Sequence, residues 1–151
     1  LNIIGLVYKK IGNFNKTLEY FEKSNEMYKK FLIDNPNPPD IAGSLNNIGL
    51  IYSEKGDYKK ELEYYLKSYE MFKNVYADNP NHPDIANSLN NIGSVYKQNG
   101  DFHKALEYYE KSYEIRKKVY ADNLNHPFIA ATLTNFGKIY VEKGELDKAL
   151  E

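Results

Sequence analysis

Asparagine recurs in this chain at a fixed interval of 44 residues, as Asn47, Asn91 and Asn135. A carboxamide carries two N–H donors and an acceptor oxygen, so one side chain can bond both the N–H and the C=O of an extended backbone. The position one residue earlier holds Asn2, Asn46 and Asn90, with Thr134 in the fourth copy. Such a row predicts binding of a polypeptide through its backbone. The alternatives are hydrogen bonds between neighbouring helices, or asparagines retained only through duplication.

Residues that could catalyse a reaction or bind a metal are not grouped in the sequence. His82 and His126 share a repeat position, but no cysteine or acidic cluster accompanies them, and zinc sites need several converging ligands. We expect these histidines to shape the turns before Pro83 and Pro127. No Gly-rich phosphate loop and no Ser, His and Asp set is present. The sequence therefore predicts no enzyme activity, no metal and no cofactor.

Composition excludes several further classes of function. The 151 residues are 42% hydrophobic and 27% charged with a net charge of −1, which is ordinary for a globular protein. Nucleic-acid binding needs a clustered positive excess, so it is not predicted. No apolar run reaches the ~20 residues of a membrane span. The chain has no cysteine, which favours a cytoplasmic location. It starts at Leu1 rather than Met, and we expect a fragment of a longer protein.

Two series of glycines define an internal repeat. Both have a period of 44 residues, and they are Gly5, Gly49, Gly93 and Gly137, and Gly12, Gly56, Gly100 and Gly144. Such fixed spacing indicates stacked supersecondary units. We predict one array over residues 1–151, with repeats at approximately 1–38 (partial), 39–82, 83–126 and 127–151 (partial).

Each repeat is predicted to be a pair of helices, A and B. In the second copy Ile41, Leu45, Ile48 and Tyr52 are spaced by four, three and four residues, which is the spacing of one helix face. The predicted A helices span 39–55, 83–99 and 127–143, and the predicted B helices span 58–76, 102–120 and 146–151. A single pair cannot bury its apolar face, so neighbouring pairs must stack. The fold class is all-α, an α-solenoid of antiparallel helix pairs.

Local signals predict where the helices end and how closely they pack. Gly56 suits a left-handed stop after helix A, and Asp57 suits the N-cap of helix B. Glycine inside a helix costs ~1 kcal/mol relative to alanine, so Gly49 and its equivalents need a reason. We expect close approach of the helix B backbone, near Leu62 in the second copy and Leu106 in the third.

The third copy resembles the tetratricopeptide repeat (TPR) signature. Its match consists of Leu89, Ile92, Gly93 and Tyr96, followed by Ala105 and Tyr109. The second copy has Glu61 in place of the signature alanine, and the period is 44 residues instead of 34. This longer form, with its Leu-Asn-Asn core, is similar to the repeats of kinesin light chains. The resemblance implies a right-handed superhelix with a concave groove, and a protein or peptide partner.

In TPR arrays helix A lines the groove, so the resemblance implies a set of peptide-binding residues. They lie off the core face of helix A and are Asn47, Asn91, Asn135, Asn2, Asn46, Asn90, Leu50, Ser94, Lys97 and Lys138. The lysines favour an acidic peptide, although Glu54 and Glu142 oppose this. For each lysine the alternative is an ordinary solvated surface residue.

Three hypotheses about function follow. The first is a non-catalytic scaffold that binds a peptide segment of a partner in the groove. In the second, the array associates with itself end to end, because the exposed apolar face of one molecule's last helix could meet the first helix of another. In the third, the chain is the sensor or docking arm of a larger signalling protein or enzyme.

Overall fold

Eight α-helices make up the described part of the chain. The computed structural model describes residues 2–31 and 39–150. The helices are α1 (Asn2–Lys10), α2 (Phe14–Phe31), α3 (Pro39–Glu54), α4 (Tyr58–Val75), α5 (Pro83–Gln98), α6 (Phe102–Val119), α7 (Pro127–Lys143) and α8 (Leu146–Leu150). No strand occurs within these residues. The all-α prediction is therefore confirmed.

The predicted helix boundaries agree with the structure to within one residue. The α7 helix has the predicted limits, whereas α3, α4, α5 and α6 each end one residue earlier than predicted. At the end of α4 the Tyr76 N–H still donates to the Phe72 carbonyl at 2.9 Å, but its φ of −106° and ψ of 35° leave the helical region. The predicted helix end at Glu151 lies outside the described residues.

The helices of a repeat pack as antiparallel pairs. In the pair α3 and α4, the Ser68 hydroxyl near the end of α4 donates to the Ala42 carbonyl near the start of α3, at 2.7 Å. In the pair α5 and α6, Ser112 donates in the same way to Ala86, also at 2.7 Å. Because late residues of helix B meet early residues of helix A, the two helices run in opposite directions.

The turns between paired helices form as their sequence predicts. Gly56 has a φ of 72°, a left-handed conformation that glycine adopts without a steric penalty. The Asp57 side chain then accepts a hydrogen bond from the Lys60 N–H at 3.1 Å and caps α4. Asp101 caps α6 in the same way, accepting from the Lys104 N–H at 3.1 Å. The predicted helix stop and N-cap are therefore confirmed.

The mid-helix glycines do have a steric reason, but the neighbour differs from the predicted one. A Cβ at Gly49 would lie 2.6 Å from two ring carbons of Tyr65, and a Cβ at Gly93 would lie 2.7 Å from the Tyr109 ring. The nearest neighbour of Gly49 is therefore the Tyr65 ring, and the backbone approach predicted near Leu62 stays a prediction. Tyr65 is three residues after Leu62 on the same side of α4, and its large ring fills the space first.

The third copy adds a backbone contact to this pattern, and the fourth copy lacks the ring contact. In the third copy the backbone also approaches, since the Ala105 carbonyl oxygen would lie 3.2 Å from a Cβ at Gly93, so the backbone approach predicted near Leu106 is confirmed. In the fourth copy a Cβ at Gly137 would meet nothing nearer than the Ala149 carbonyl oxygen at 3.8 Å. The position equivalent to Tyr65 and Tyr109 would lie 44 residues after Tyr109, past the 151 residues of the sequence, so no such ring faces Gly137 in this chain.

The chain divides into two compact units, Leu1–Ala77 and Asp78–Glu151, called unit 1 and unit 2 below. The core of unit 1 contains Leu18, Phe21, Ile48, Ile51 and Tyr52. The core of unit 2 contains Ala105, Tyr109 and Ile139, with Tyr96, Phe102, Leu106 and Phe136 packed against them. Each unit thus buries the A-helix and B-helix faces that the 3.6-residue periodicity identifies. The single array over 1–151 stays a prediction.

Candidate functional site

The polar face of α5 collects four of the predicted site residues. Asn90, Asn91, Ser94 and Lys97 lie within two turns of this helix, and all four are half-buried. Their spacing places them on one side of the helix, away from the buried Leu89, Ile92 and Val95. We call these four residues, with Asn135 and Lys138 of α7, the asparagine face of unit 2.

Side chains of α5 and α7 meet across this face. The Asn135 amide nitrogen donates to the Asn90 side-chain oxygen at 3.0 Å. Farther along the same two helices, the Lys97 ammonium contacts the Glu142 carboxylate at 3.2 Å. Asn90 and Asn135 therefore form a hydrogen bond between helices, which is one of the alternatives that the sequence left open. By the donor and acceptor inventory of a carboxamide, one such bond leaves Asn135 a second N–H and its oxygen.

Ser94 is tied to the protein interior as well as to its own helix. Its hydroxyl lies 3.1 Å from the Asn90 carbonyl oxygen, to which it donates, and 3.0 Å from the Tyr109 hydroxyl. Burial raises the pKa of Tyr109, so this phenol stays neutral. Ser94 therefore contributes mainly to positioning α5 on α6.

The lysines of the A helices are only partly available to an acidic ligand. Lys97 is neutralised by Glu142, and in unit 1 Lys9 contacts Glu54 at 3.2 Å. Lys138 is exposed and makes no ion pair with the residues that the structure describes. Glu54 and Glu142, which we expected to oppose binding of an acidic peptide, are thus the ion-pair partners of Lys9 and Lys97.

In unit 1 the corresponding residues lie on α3. Asn46, Asn47 and Leu50 are half-buried there, opposite the fully buried Ile48 and Ile51. Asn2 is the first residue of α1, and its side chain lies outside the described residues. Asn46, Asn47 and Leu50 therefore share a helix face, as predicted.

A buried arginine next to the asparagine face was not among the predicted site residues. Arg116 of α6 is only 5% exposed and donates to the Phe128 carbonyl at 2.7 Å, to the Thr132 hydroxyl and to the Asn87 side-chain oxygen at 3.0 Å. Its guanidinium also lies 5.5 Å from the Phe128 ring centroid. Burial lowers the pKa of Arg116. Phe72 occupies the equivalent position in the second copy and is buried there. An arginine at a position where another copy has a buried apolar residue was the sequence signal that could have identified Arg116.

Asn87 extends the asparagine face by one turn toward the start of α5. It is exposed, and it precedes Asn90 by three residues and Asn91 by four. Because Arg116 bonds its oxygen, the Asn87 amide group is oriented with its N–H donors away from the guanidinium. The repeat pattern does not single out Asn87, because the equivalent positions hold Gly43 and Ala131.

A cavity of about 670 Å³ lies elsewhere in unit 1, between the B helices α2 and α4. Its floor includes Leu45 and Ile48, and its walls include Glu22, Glu26 and Glu70. The asparagines of α3 are not among the described residues that line it. The predicted site is therefore an open helix face and not this cavity.

The two linker histidines are helix caps. The His82 Nδ1 accepts a hydrogen bond from the Asp84 N–H at 3.2 Å, and the His126 Nδ1 accepts from the Phe128 N–H at 3.3 Å. Within residues 2–31 and 39–150 there is no group of three or more His, Cys, Asp or Glu side chains that could hold a metal ion. None of the described helices is both long and apolar enough to cross a membrane.

Comparison with known proteins gives one family and one fold. The family model of the tetratricopeptide repeat matches residues 1–74, 40–118 and 84–151. The solved structure of BtubC (BKLC) from P. vanneervenii has a TM-score of 0.81 at 21% identity, over 97% of this chain and 56% of that protein. A putative kinesin light chain of Podosopora anserina with nearly identical TPR-like repeats has a TM-score of 0.78 at 19% identity, over 98% of this chain and 67% of that protein. No curated protein matches the sequence.

Proposed function

Because the chain belongs to the tetratricopeptide repeat family, we propose that it is a non-catalytic module that binds a peptide segment of a partner protein along its A helices. The observation that carries this proposal is the asparagine face of unit 2. There, carboxamides from α5 and α7 lie next to one another on a half-buried, open surface. The family and the fold support a protein-interaction scaffold, and peptide binding on this face is the finer step that we propose.

The hydrogen bond between Asn90 and Asn135 supports this role as well as a structural one. It holds each amide group in a fixed orientation, so little side-chain entropy is lost when a ligand bonds the remaining donors and acceptors. An extended peptide presents alternating N–H and C=O groups, which match the mixed donors and acceptors of carboxamides. The face therefore suits recognition of a backbone.

The charge of the face suggests which side chains the peptide carries. Lys138 is exposed, and it is the lysine of this face that has no carboxylate partner among the described residues. Lys97 would have to exchange Glu142 for a carboxylate of the ligand. We therefore expect a preference for an acidic side chain near Lys138, with a small effect because the charge is solvated. A cytoplasmic setting is part of the same proposal.

Selection from a random peptide library tests whether the chain binds peptides without requiring the sequence of its partner. The chain is immobilised and used to select from a phage-displayed library of short peptides. The affinity of the selected peptides is then measured by calorimetry against the triple variant N47A, N91A and N135A. We expect the triple variant to bind at least about tenfold more weakly, because backbone hydrogen bonds are lost.

A control variant shows that substitutions on other exposed faces leave binding unchanged, and equal helix content by circular dichroism shows that the triple variant is folded. Glu63 and Glu107 lie on exposed faces of α4 and α6, where each pairs with a lysine four residues later. The double variant E63A and E107A should bind the selected peptides like the unchanged chain. Equal affinity of the triple variant and the unchanged chain would rule out the asparagines as the binding residues.

Exposed apolar side chains on α1 favour self-association of the chain as a second candidate function. The equivalent residues of α3 pack against α2 of the preceding repeat, a neighbour that residues 1–151 do not include for α1. Ile4 and Val7 are 43% and 55% exposed, whereas the equivalent Ile48 and Ile51 of α3 are completely buried. Burying such a stripe against another molecule is favourable by ~25 cal/mol per Å². Sedimentation velocity over a range of concentrations tests this candidate. Self-association predicts that the sedimenting mass of the unchanged chain grows with concentration and that the variant V7D stays monomeric. If the unchanged chain is a monomer at every concentration, this candidate is excluded.

The third candidate is a sensor or docking arm of a larger signalling protein or enzyme. The chain spans 56% of BtubC and 67% of the Podosopora anserina protein. Under this proposal the peptide-binding face serves to bring a substrate or regulator to another domain.

A further inference from the structure

Glu61 is a buried carboxyl group at a position where the other copies have small side chains. The equivalent residues are Thr17, Ala105 and Ala149. Glu61 is only 2% exposed, although a glutamate is almost never fully buried unless it is paired. The repeat thus places a charged residue type where the shared packing provides room for a small side chain.

The surroundings of Glu61 do not compensate a negative charge. Its Oε2 atom has no hydrogen-bond partner in the part of the chain that the structure describes. In unit 1, Ser53 of α3 forms a hydrogen bond with the side chain, and Tyr65 of α4 interacts electrostatically with it. Burial raises the pKa of Tyr65, so that phenol stays neutral, and Glu54, which also interacts with Tyr65, is paired with Lys9 at 3.2 Å. Neither Tyr65 nor Glu54 stabilises the ionised form.

The position of Glu61 in the first turn of α4 favours the carboxylate, but this effect is the smaller one. The partial positive charge of a helix N-terminus acts on an anion mainly through exposed N–H groups, and the Glu61 N–H is already bonded to the Asp57 carbonyl at 2.9 Å. Burial raises the pKa of Glu61, and this effect outweighs the opposing hydrogen bond from Ser53. The neutral carboxylic acid is therefore the form that suits this site.

We propose that folding of unit 1 takes up a proton on Glu61, so that the stability of this unit increases as the pH falls. Below the pKa of the unfolded glutamate both states carry the proton, and stability is highest. As the pH rises above that value the unfolded chain releases its proton first, and stability declines until the folded carboxyl group also ionises. At higher pH the stability no longer changes through this residue. The sensitive range therefore begins near the ordinary glutamate value of 4.5 and extends upward.

Glu63 provides a matched control two residues away. It is exposed, and its hydrogen bond with Lys67 lowers its pKa, the opposite direction to Glu61. Replacing Glu63 by glutamine removes a carboxylate from the same helix without changing a buried group. It should therefore leave the pH dependence of unit 1 almost unchanged.

The test measures the melting temperature of the complete chain and of E61Q, E61A and E63Q by calorimetry from about pH 5 to about pH 8. We expect E61Q and E61A to melt about 3–6 °C above the unchanged chain at the high end of this range. The difference should shrink as the pH falls, whereas E63Q should show no such trend. E61A places in the second copy the residue found in the third and fourth, so it is compatible with the fold.

A carboxyl ¹³C NMR titration of Glu61 in the folded chain gives an independent measurement. The proposal predicts a midpoint above that of Glu63, and a midpoint at or below it overturns the proposal. A stability difference between E61Q and the unchanged chain that does not vary with pH overturns it equally. Lower stability of both Glu61 variants at about pH 8 does so as well.

Discussion

The second and third helix pairs share one set of contacts and differ at a few buried positions. In both pairs a glycine of helix A faces a tyrosine ring of helix B, and a serine of helix B donates at 2.7 Å to a helix A carbonyl. In both, two tyrosine rings stack at a centroid distance of 5.5 Å. The buried differences include Glu61 against Ala105 and Phe72 against Arg116. The shared contacts therefore define the fold, and the differing residues give each unit its own properties.

Among the substitutions that distinguish the two helix pairs, we expect truncation of Arg116 to have the largest effect on the unfolding free energy. Truncation to alanine leaves the Phe128 carbonyl, the Thr132 hydroxyl and the Asn87 side-chain oxygen without this donor. We expect R116A to lose about 3 kcal/mol of unfolding free energy, because three hydrogen bonds are lost, one of them to the buried Thr132 hydroxyl, and a cavity forms. Urea denaturation followed by circular dichroism measures this loss. R116F, which restores the residue type of the second copy, should lose less, and a loss below ~0.5 kcal/mol in R116A contradicts the account.

Alanine substitutions of two mid-helix glycines should change the stability by smaller amounts, and in opposite directions. A Cβ at Gly49 would overlap the Tyr65 ring, so we expect G49A to destabilise the chain by about 1–2 kcal/mol. At Gly137 the nearest atom is 3.8 Å away, and G137A should stabilise by roughly 0.5–1 kcal/mol through helix propensity alone. The denaturant midpoints of G49A and G137A, compared with that of the unchanged chain, measure both changes in stability. Destabilisation of similar size in both would show that the ring contact is not the cause.

The local features of the fold could be predicted from the sequence because each depends on a few neighbouring residues. Gly56 and Asp57 determine a turn by backbone conformation and a single hydrogen bond, and helical periodicity determines which residues are buried. The contact of the Tyr65 ring with Gly49 could not be predicted in this way, because helix periodicity identifies a face but not which side chain on it fills a given space.

The contacts of the candidate site required three-dimensional positions. The sequence predicts that Asn90 and Asn135 occupy neighbouring helices, but not that their amides bond each other, since that depends on the offset between α5 and α7. Arg116 reaches acceptors on both helices only because its side chain is long and flexible. Periodicity treats such a residue as an exposed exception, whereas the structure shows it almost completely buried.

The central claim is that the asparagines of the A helices contact the bound peptide. The most direct test follows the side-chain NH₂ signals of the ¹⁵N-labelled chain by NMR while a selected peptide is added. The account predicts shifts of Asn47, Asn91 and Asn135, with little change at Asn99 and Asn123, which lie in turns after α5 and α6. Shifts confined to the B helices α4 and α6, with the three asparagines unchanged, would contradict it.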